Sequence, residues 1–189
     1  KGLVISSANG EWEYDGETHF KPEYTVTYDG QKIQPVEGTT NVFTLPAGDT
    51  LTVTSTAQGV KNVSDSKADN NTFEYELKNA ENYASVTTDY GDLTITPKPV
   101  TITVPGAQKD YGTKDPEEFS KGELPNDLDN IYREELKELD LSVERTNDDE
   151  NAGIYEDVLT IPDTENWETK YPNYEITVVP GDFEIVKKG

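Results

Sequence analysis

GDLTITPKPVTITV, Gly91 to Val104, is the stretch on which the fold turns. On either side of Pro97-Lys98-Pro99 a hydrophobic residue alternates with threonine: Leu93 and Ile95 before, Val100, Ile102 and Val104 after. A period of two is the pattern of a strand with one buried face. The prolines fix φ and supply no N–H, so one ladder cannot run through the junction. The stretch reads as a closing strand, a stiff hinge and an opening strand. Its first half returns near the end of the chain as GDFEIV, Gly181 to Val186. A closing signal that occurs twice predicts two tandem domains, 1–98 and 99–189.

The first domain reads as all-β. Leu3 to Ile5 is a short strand, and EYTVTY, Glu23 to Tyr28, runs into the hairpin signal Asp29-Gly30 before Lys32 and Ile33. Val42 to Leu45 and Leu51 to Ser55 are joined through Pro46-Ala47-Gly48-Asp49, and Phe73 to Leu77 and Tyr83 to Thr87 precede the closing strand. Gln58 to Asn71 is polar without periodicity and reads as a loop. About seven or eight short strands at this spacing predict an all-β unit.

The second domain differs in its middle. Leu128, Ile131, Tyr132, Leu136 and Leu139 fall at helical spacing, and Asn126 or Asp127 stands where a cap belongs. One helix near 127–139 is expected. Leu141 to Arg145, Ile154 to Ile161 and Tyr174 to Val179 read as strands. The fold class is therefore mainly β, with an α+β second unit that is β-grasp-like; Ig-like β-sandwiches are the competing architecture.

Composition narrows the function classes. The net charge is −22, of which residues 1–98 carry −8 (7 Lys, 15 Asp/Glu) and residues 99–189 carry −14 (9 Lys/Arg, 23 Asp/Glu). Such a field repels nucleic acid and anionic lipid, and neither is an expected partner. With no cysteine there is no disulfide, thiolate metal site or cysteine nucleophile. No window approaches the ~18 apolar residues of a membrane span, so no direct membrane insertion is expected. A mean hydropathy of −0.78 points to small cores with wet surfaces. Lys1-Gly2 runs straight into LVIS, so a secretion signal or wall anchor is expected outside this stretch.

In the second domain VTITV, KDYGTKDPEEF, NDDENAGIYED and NYEITVVPGDFEIV together resemble the MBG or YGX-type repeat domains of bacterial surface adhesins. Those repeats show a YG-x-x-DP element, a G-x-Y strand and a related ending. In the first domain WEYDGETHF resembles the YDG opening of a related repeat, and ENYASVTTDYGDLTITPKPVTI resembles the ending and junction; Gly38 to Asn71 departs from the pattern. The resemblance implies tandem stalk or adhesion modules of a secreted or wall-attached, extracellular protein. It implies no catalytic residues, and no enzyme is expected. The expected partners are neighbouring domains of a longer chain and a host or dietary glycan or a host surface protein.

Residue chemistry offers few sites. His19 is the single histidine, so a triad or a two-histidine metal site has no second member to recruit. Carboxylates are too abundant for any pair to signal glycoside hydrolysis. Trp12 and Tyr14 share one strand face and are expected in a core. Trp167, with Tyr171 and Asn166 in TENWETKYPNY, is the ligand-binding candidate: a ring for a sugar face beside polar groups for its hydroxyls. The competing reading places Trp167 and Tyr171 over the end of a small core. Asp148, Asp149 and Glu150 concentrate the oxygen ligands that Ca²⁺ prefers but lack EF-hand spacing, so a solvated turn competes with a metal loop. No other cofactor is expected. Asn62-Val63-Ser64 and Asn70-Asn71-Thr72 match the glycosylation pattern, and a lysine-asparagine isopeptide crosslink would need a strand lysine facing a late asparagine.

Overall fold

Strands form where the sequence alternates. In the computed structural model, which describes residues 2–189, the chain is mainly β and divides into two units between Pro97 and Lys98.

The first unit holds β1 (Leu3–Ser7), β2 (Gly10–Glu13), β3 (Tyr24–Tyr28), β4 (Gln31–Ile33), β5 (Val42–Thr44), β6 (Thr50–Ser55), β7 (Lys67–Asn71), β8 (Phe73–Leu77), β9 (Val86–Asp89) and β10 (Gly91–Thr96). They form sheets in the orders β4-β3-β1-β9, β2-β10-β7 and β5-β6-β8. The β3–β4 hairpin turns on Asp29 at φ 48° and Gly30 at φ 85°, the left-handed pair that matches strand twist. Leu3, Ile5, Val26, Phe43, Leu51 and Val53 lie in its core. Tyr14 is buried, whereas Trp12 is half-buried and stacks on His19 at 4.9 Å.

Two expectations change here. The polar stretch expected as a loop contains β7, which shows no alternation because four of its five side chains avoid the core and only Asn71 is buried. Its ladder is completed by a side chain: Asn70 Oδ1 accepts from the Leu93 N–H at 2.6 Å and its Nδ2 donates to Leu93 O at 2.9 Å. The strand expected from Tyr83 begins at Val86, because Ala80–Asn82 forms a 3-10 turn and Tyr83 Oη donates to Asp49 at 2.7 Å. That bond pushes the Tyr83 phenol up to about 12.

The second unit holds β11 (Lys98–Thr103), β12 (Ala107–Asp110), α1 (Asn130–Glu135), β13 (Glu144–Arg145), β14 (Gly153–Thr160), α2 (Trp167–Lys170), β15 (Tyr174–Val179) and β16 (Gly181–Val186). Its sheets run β11-β15 and β12-β16-β14-β13, around Ile102, Val104, Leu159, Ile161, Phe183 and Ile185. The helix is six residues, shorter than the 127–139 expected, and its N-cap is Asp129 rather than Asn126 or Asp127. A turn replaces the first helical turn: the Leu128 N–H bonds Pro125 O at 3.2 Å, and Arg133 donates to both Leu128 O and Pro125 O. Ile131 on the expected apolar stripe is 44% exposed, while Tyr132 and Leu136 are buried. The strand expected over Leu141 to Arg145 is reduced to β13, and α2 interrupts a stretch that carried no helical signal.

Both units are built on one frame of terminal strands. β1 runs parallel to β9 with Leu3 opposite Val86, and β11 runs parallel to β15 with Val100 opposite Ile176. β2 runs parallel to β10 with Gly10 opposite Leu93, and β12 parallel to β16 with Ala107 opposite Phe183. An antiparallel strand then flanks each closing strand: Lys67 and Asn71 of β7 face Leu93 and Gly91, as Tyr155 and Leu159 of β14 face Phe183 and Gly181. Each flanking strand bulges between those pairs. At the bulge Asp69 has φ 59° and Asp157 φ 58°, and their N–H groups donate to Asp92 Oδ1 at 2.8 Å and Asp182 Oδ1 at 2.9 Å. The repeated Gly-Asp thus has a physical cause. A Cβ on Gly91 would lie 2.2 Å from Ala8 O and one on Gly181 2.6 Å from Pro105 O, so only glycine fits, and the aspartate that follows holds the bulge.

Candidate functional site

The stretch TENWETKYPNY folds into one helical turn because four backbone bonds close it locally. Trp167 N–H donates to Thr164 O at 3.1 Å, Lys170 N–H to Asn166 O at 3.0 Å, Tyr171 N–H to Trp167 O at 2.7 Å and Tyr174 N–H to Tyr171 O at 3.0 Å. Pro172 has no N–H to extend the turn. This turn, α2, delivers the chain into β15. Trp167 is half-buried and packs against the second unit's core. The ring therefore has one role in packing and a remaining edge for the surface.

Two hollows share Trp167. The smaller, about 190 Å³, is lined by Asn166, Trp167 and Tyr171 together with Lys170, Glu138 and Asp140. It brings together the three residues singled out from sequence. Lys170 Nζ stands 5.9 Å from the Tyr171 ring centre, a cation over an aromatic face. The Asp140 carboxyl is held below its ordinary value by hydrogen bonds from the Ser142 hydroxyl and the Ser142 N–H, the latter at 3.0 Å. The larger hollow, about 420 Å³, has Trp167, Ile176 and Val178 among its walls and Glu165, Glu168 and Glu175 at its margin. None of the residues lining it is basic.

The acidic loop, read from sequence as a solvated turn competing with a Ca²⁺ site, is tied to two cations. Glu150 turns to two cations, lying 2.5 Å from Lys109 Nζ and 2.5 Å from Arg145 Nη2. Asp115 faces the same pair, 2.8 Å from Lys109 and 3.1 Å from both Arg145 Nε and Nη2. Asp149 contributes its backbone carbonyl, 2.6 Å from Arg145 Nη1, rather than its carboxylate. Asp148, Asp149 and Glu150 do not converge, and among the described residues no group of three or more histidine, cysteine or acidic side chains is placed to hold a metal ion. Lys109 and Arg145 both engage the Glu150 carboxylate.

This square of two cations and two anions sets its own protonation. Asp115 and Glu150 raise the Lys109 ammonium above its ordinary value. Burial works to raise the Asp115 carboxyl, but hydrogen bonds from Lys109 and Arg145 outweigh it and leave it low; Glu150 is lowered by the same two cations. The buried strand lysine serves as the ion-pair partner of Asp115 and Glu150. Arg145 also lies 4.9 Å over the Phe183 ring, which ties the square to the core.

In the first unit, His19 Nε2 lies 2.9 Å from both Asp15 carboxylate oxygens, and its backbone pairs with Val60. The Glu17 N–H and then His19 lower the Asp15 carboxyl. The dyad braces the Asp15–His19 loop across Trp12. Of the two glycosylation matches, the Asn70 amide is committed to Asp65 O and Leu93 O.

Sequence reasoning missed the Lys109, Asp115 and Arg145 members of the ion square. They left no local signal, since Lys109 on β12 and Arg145 on β13 stand in short, mostly polar strands. Compared with known proteins, the chain matches no family model, no curated protein and no solved structure.

Proposed function

We propose that the chain is a non-catalytic, extracellular stalk or adhesion segment of a bacterial surface protein, built from tandem repeat domains of the MBG/YGX and YDG types. The observation that supports this reading is the terminal-strand frame formed twice, with the closing strand of one copy ending at Thr96 and the opening strand of the next beginning at Lys98. In each copy the first two strands pair in parallel with the last two, so a copy closes on itself and hands the chain directly to its successor. Such modules multiply length without new chemistry. The first unit stands as an all-β YDG-like domain and the second as a β-grasp-like one, with an Ig-like sandwich as the competing description. The net charge of −22 keeps neighbouring copies apart.

The test is where the chain resides. Antibodies raised against it should label intact, unpermeabilised cells of the source organism, and external protease should remove the label. Label that needs permeabilisation overturns the proposal.

A second reading has its own support. Asn166, Trp167 and Tyr171 line one hollow, with a second hollow beyond the same indole, which favours a binding module for a glycan or host protein at α2. Quenching of Trp167 emission relieved by a bound ligand is its test.

A further inference from the structure

The larger Trp167 hollow has a chemistry of its own. It is lined by Trp167, Tyr174, Ile176 and Val178 together with Thr164, Glu165, Glu168 and Glu175, with no basic residue. A hollow that sets an indole and aliphatic side chains beside carboxylates is matched by a ligand that is apolar along its stem and positive at its tip, and the negative second domain steers such a ligand inward. Among the residues lining the smaller hollow, Lys170 stands 5.9 Å from the Tyr171 ring. Four residues of β15, Tyr174, Glu175, Ile176 and Val178, line the larger hollow. β15 bonds to β11 along one edge, and no strand among the described residues pairs with its other edge. An open strand edge takes an extended peptide backbone.

We propose that an extended basic peptide lies along the β15 edge and places an arginine or lysine side chain in the hollow against Trp167. This rests on the reading of α2 as a binding site and replaces the neutral sugar by a cationic side chain. The volume of about 420 Å³ admits such a side chain together with part of the peptide that carries it.

The experiment uses the full chain carrying Trp12→Phe, which leaves Trp167 as the only indole. Its emission is followed during titration with an acetylated, amidated Thr-Arg-Thr tripeptide, with the same peptide carrying citrulline for arginine, and with glucose and N-acetylglucosamine. The arginine peptide should perturb Trp167, and added salt should weaken it. Glu168→Gln and Glu175→Gln should each weaken it by roughly threefold or more while the fold, read by circular dichroism, is kept. Equal binding of the citrulline peptide, or of the arginine peptide to both glutamine variants, overturns the proposal. A response to a sugar and none to the arginine peptide overturns it while sustaining α2 as a glycan site. Silence toward every probe overturns both.

Discussion

The amide of Asp157, held at φ 58°, donates to the carboxylate of Asp182 at 2.9 Å, and so joins the bulge of β14 to the closing strand β16. Asp69 and Asp92 do the same in the first unit at 2.8 Å. A left-handed residue other than glycine costs on the order of 1–2 kcal/mol, least for aspartate and asparagine, and the bond to the closing strand offsets it. The Gly-Asp signature at 91–92 and 181–182 is thus an internal clasp. It accounts for the repeat without any ligand.

The glycine of the clasp is the more demanding member. Gly181→Ala should destabilise the second unit by about 2–4 kcal/mol, because its Cβ would meet Pro105 O at 2.6 Å and that oxygen belongs to backbone. Gly106→Ala, whose Cβ would lie 3.3 Å from Asp182 O, should cost far less. Both glycines lie in the second unit, so urea unfolding followed through Trp167 compares the two substitutions. An unchanged midpoint for Gly181→Ala would show that the strand crossing is not tight.

Asn71 and Leu159 hold equivalent places opposite Gly91 and Gly181, both buried, yet one is an amide and the other aliphatic. The amide has work to do: its Nδ2 donates to Ala8 O at 2.8 Å and Lys21 O at 3.0 Å. Asn71→Leu should therefore cost about 2–3 kcal/mol through the carbonyls it strands, although leucine is what the second unit uses there. Urea unfolding reported by Trp12 measures it, and a neutral or stabilising outcome would mean those carbonyls find water.

The ion square makes the second unit sensitive to acid. Asp115 and Glu150 have ordinary values of 3.8 and 4.5 and are lower in the folded chain, so the unfolded chain binds more protons in that window. Their contribution is complete above those ordinary values and is lost as pH falls through the lower folded ones. Lys109 works in the opposite sense: its contribution is complete below 10.5 and is lost as pH rises through its raised value. Arg145→Gln should destabilise the unit by about 2–4 kcal/mol at neutral pH and flatten the acid dependence. Thermal unfolding across pH 2 to about 7 tests both, and an acid slope unchanged by the substitution would place the sensitivity elsewhere.

Strands whose side chains alternate were legible: β1, β3, β6, β8, β10, β11, β15 and β16 all carry apolar residues at every second position on one face. β7 and β12 were not, because KADNN and AQKD pair through their backbones while presenting mostly polar side chains. The helix was overdrawn for a related reason. Leu128 and Leu139 continue the 3.6-residue stripe, but Arg133 caps a turn ahead of α1 and Leu139 enters the core from beyond its end. At the candidate site, Asn166, Trp167 and Tyr171 were found because an aromatic ring in a polar stretch stands out. The ion pairs of the acidic loop were not legible, because Lys109, 41 residues before Glu150, leaves no local mark.

By itself the sequence determined the β class and the closing strands, since alternation and proline act through local sterics and burial of one face; it set the boundary after Lys98, and the chain divides after Pro97. Only the tertiary structure decided which strands pair in parallel, why glycine must precede aspartate in each closing strand, and which cations claim Asp115 and Glu150. Those outcomes depend on atoms brought together from distant positions, such as Ser7 and Gly91, whose side chain and amide meet at 2.9 Å across 84 residues.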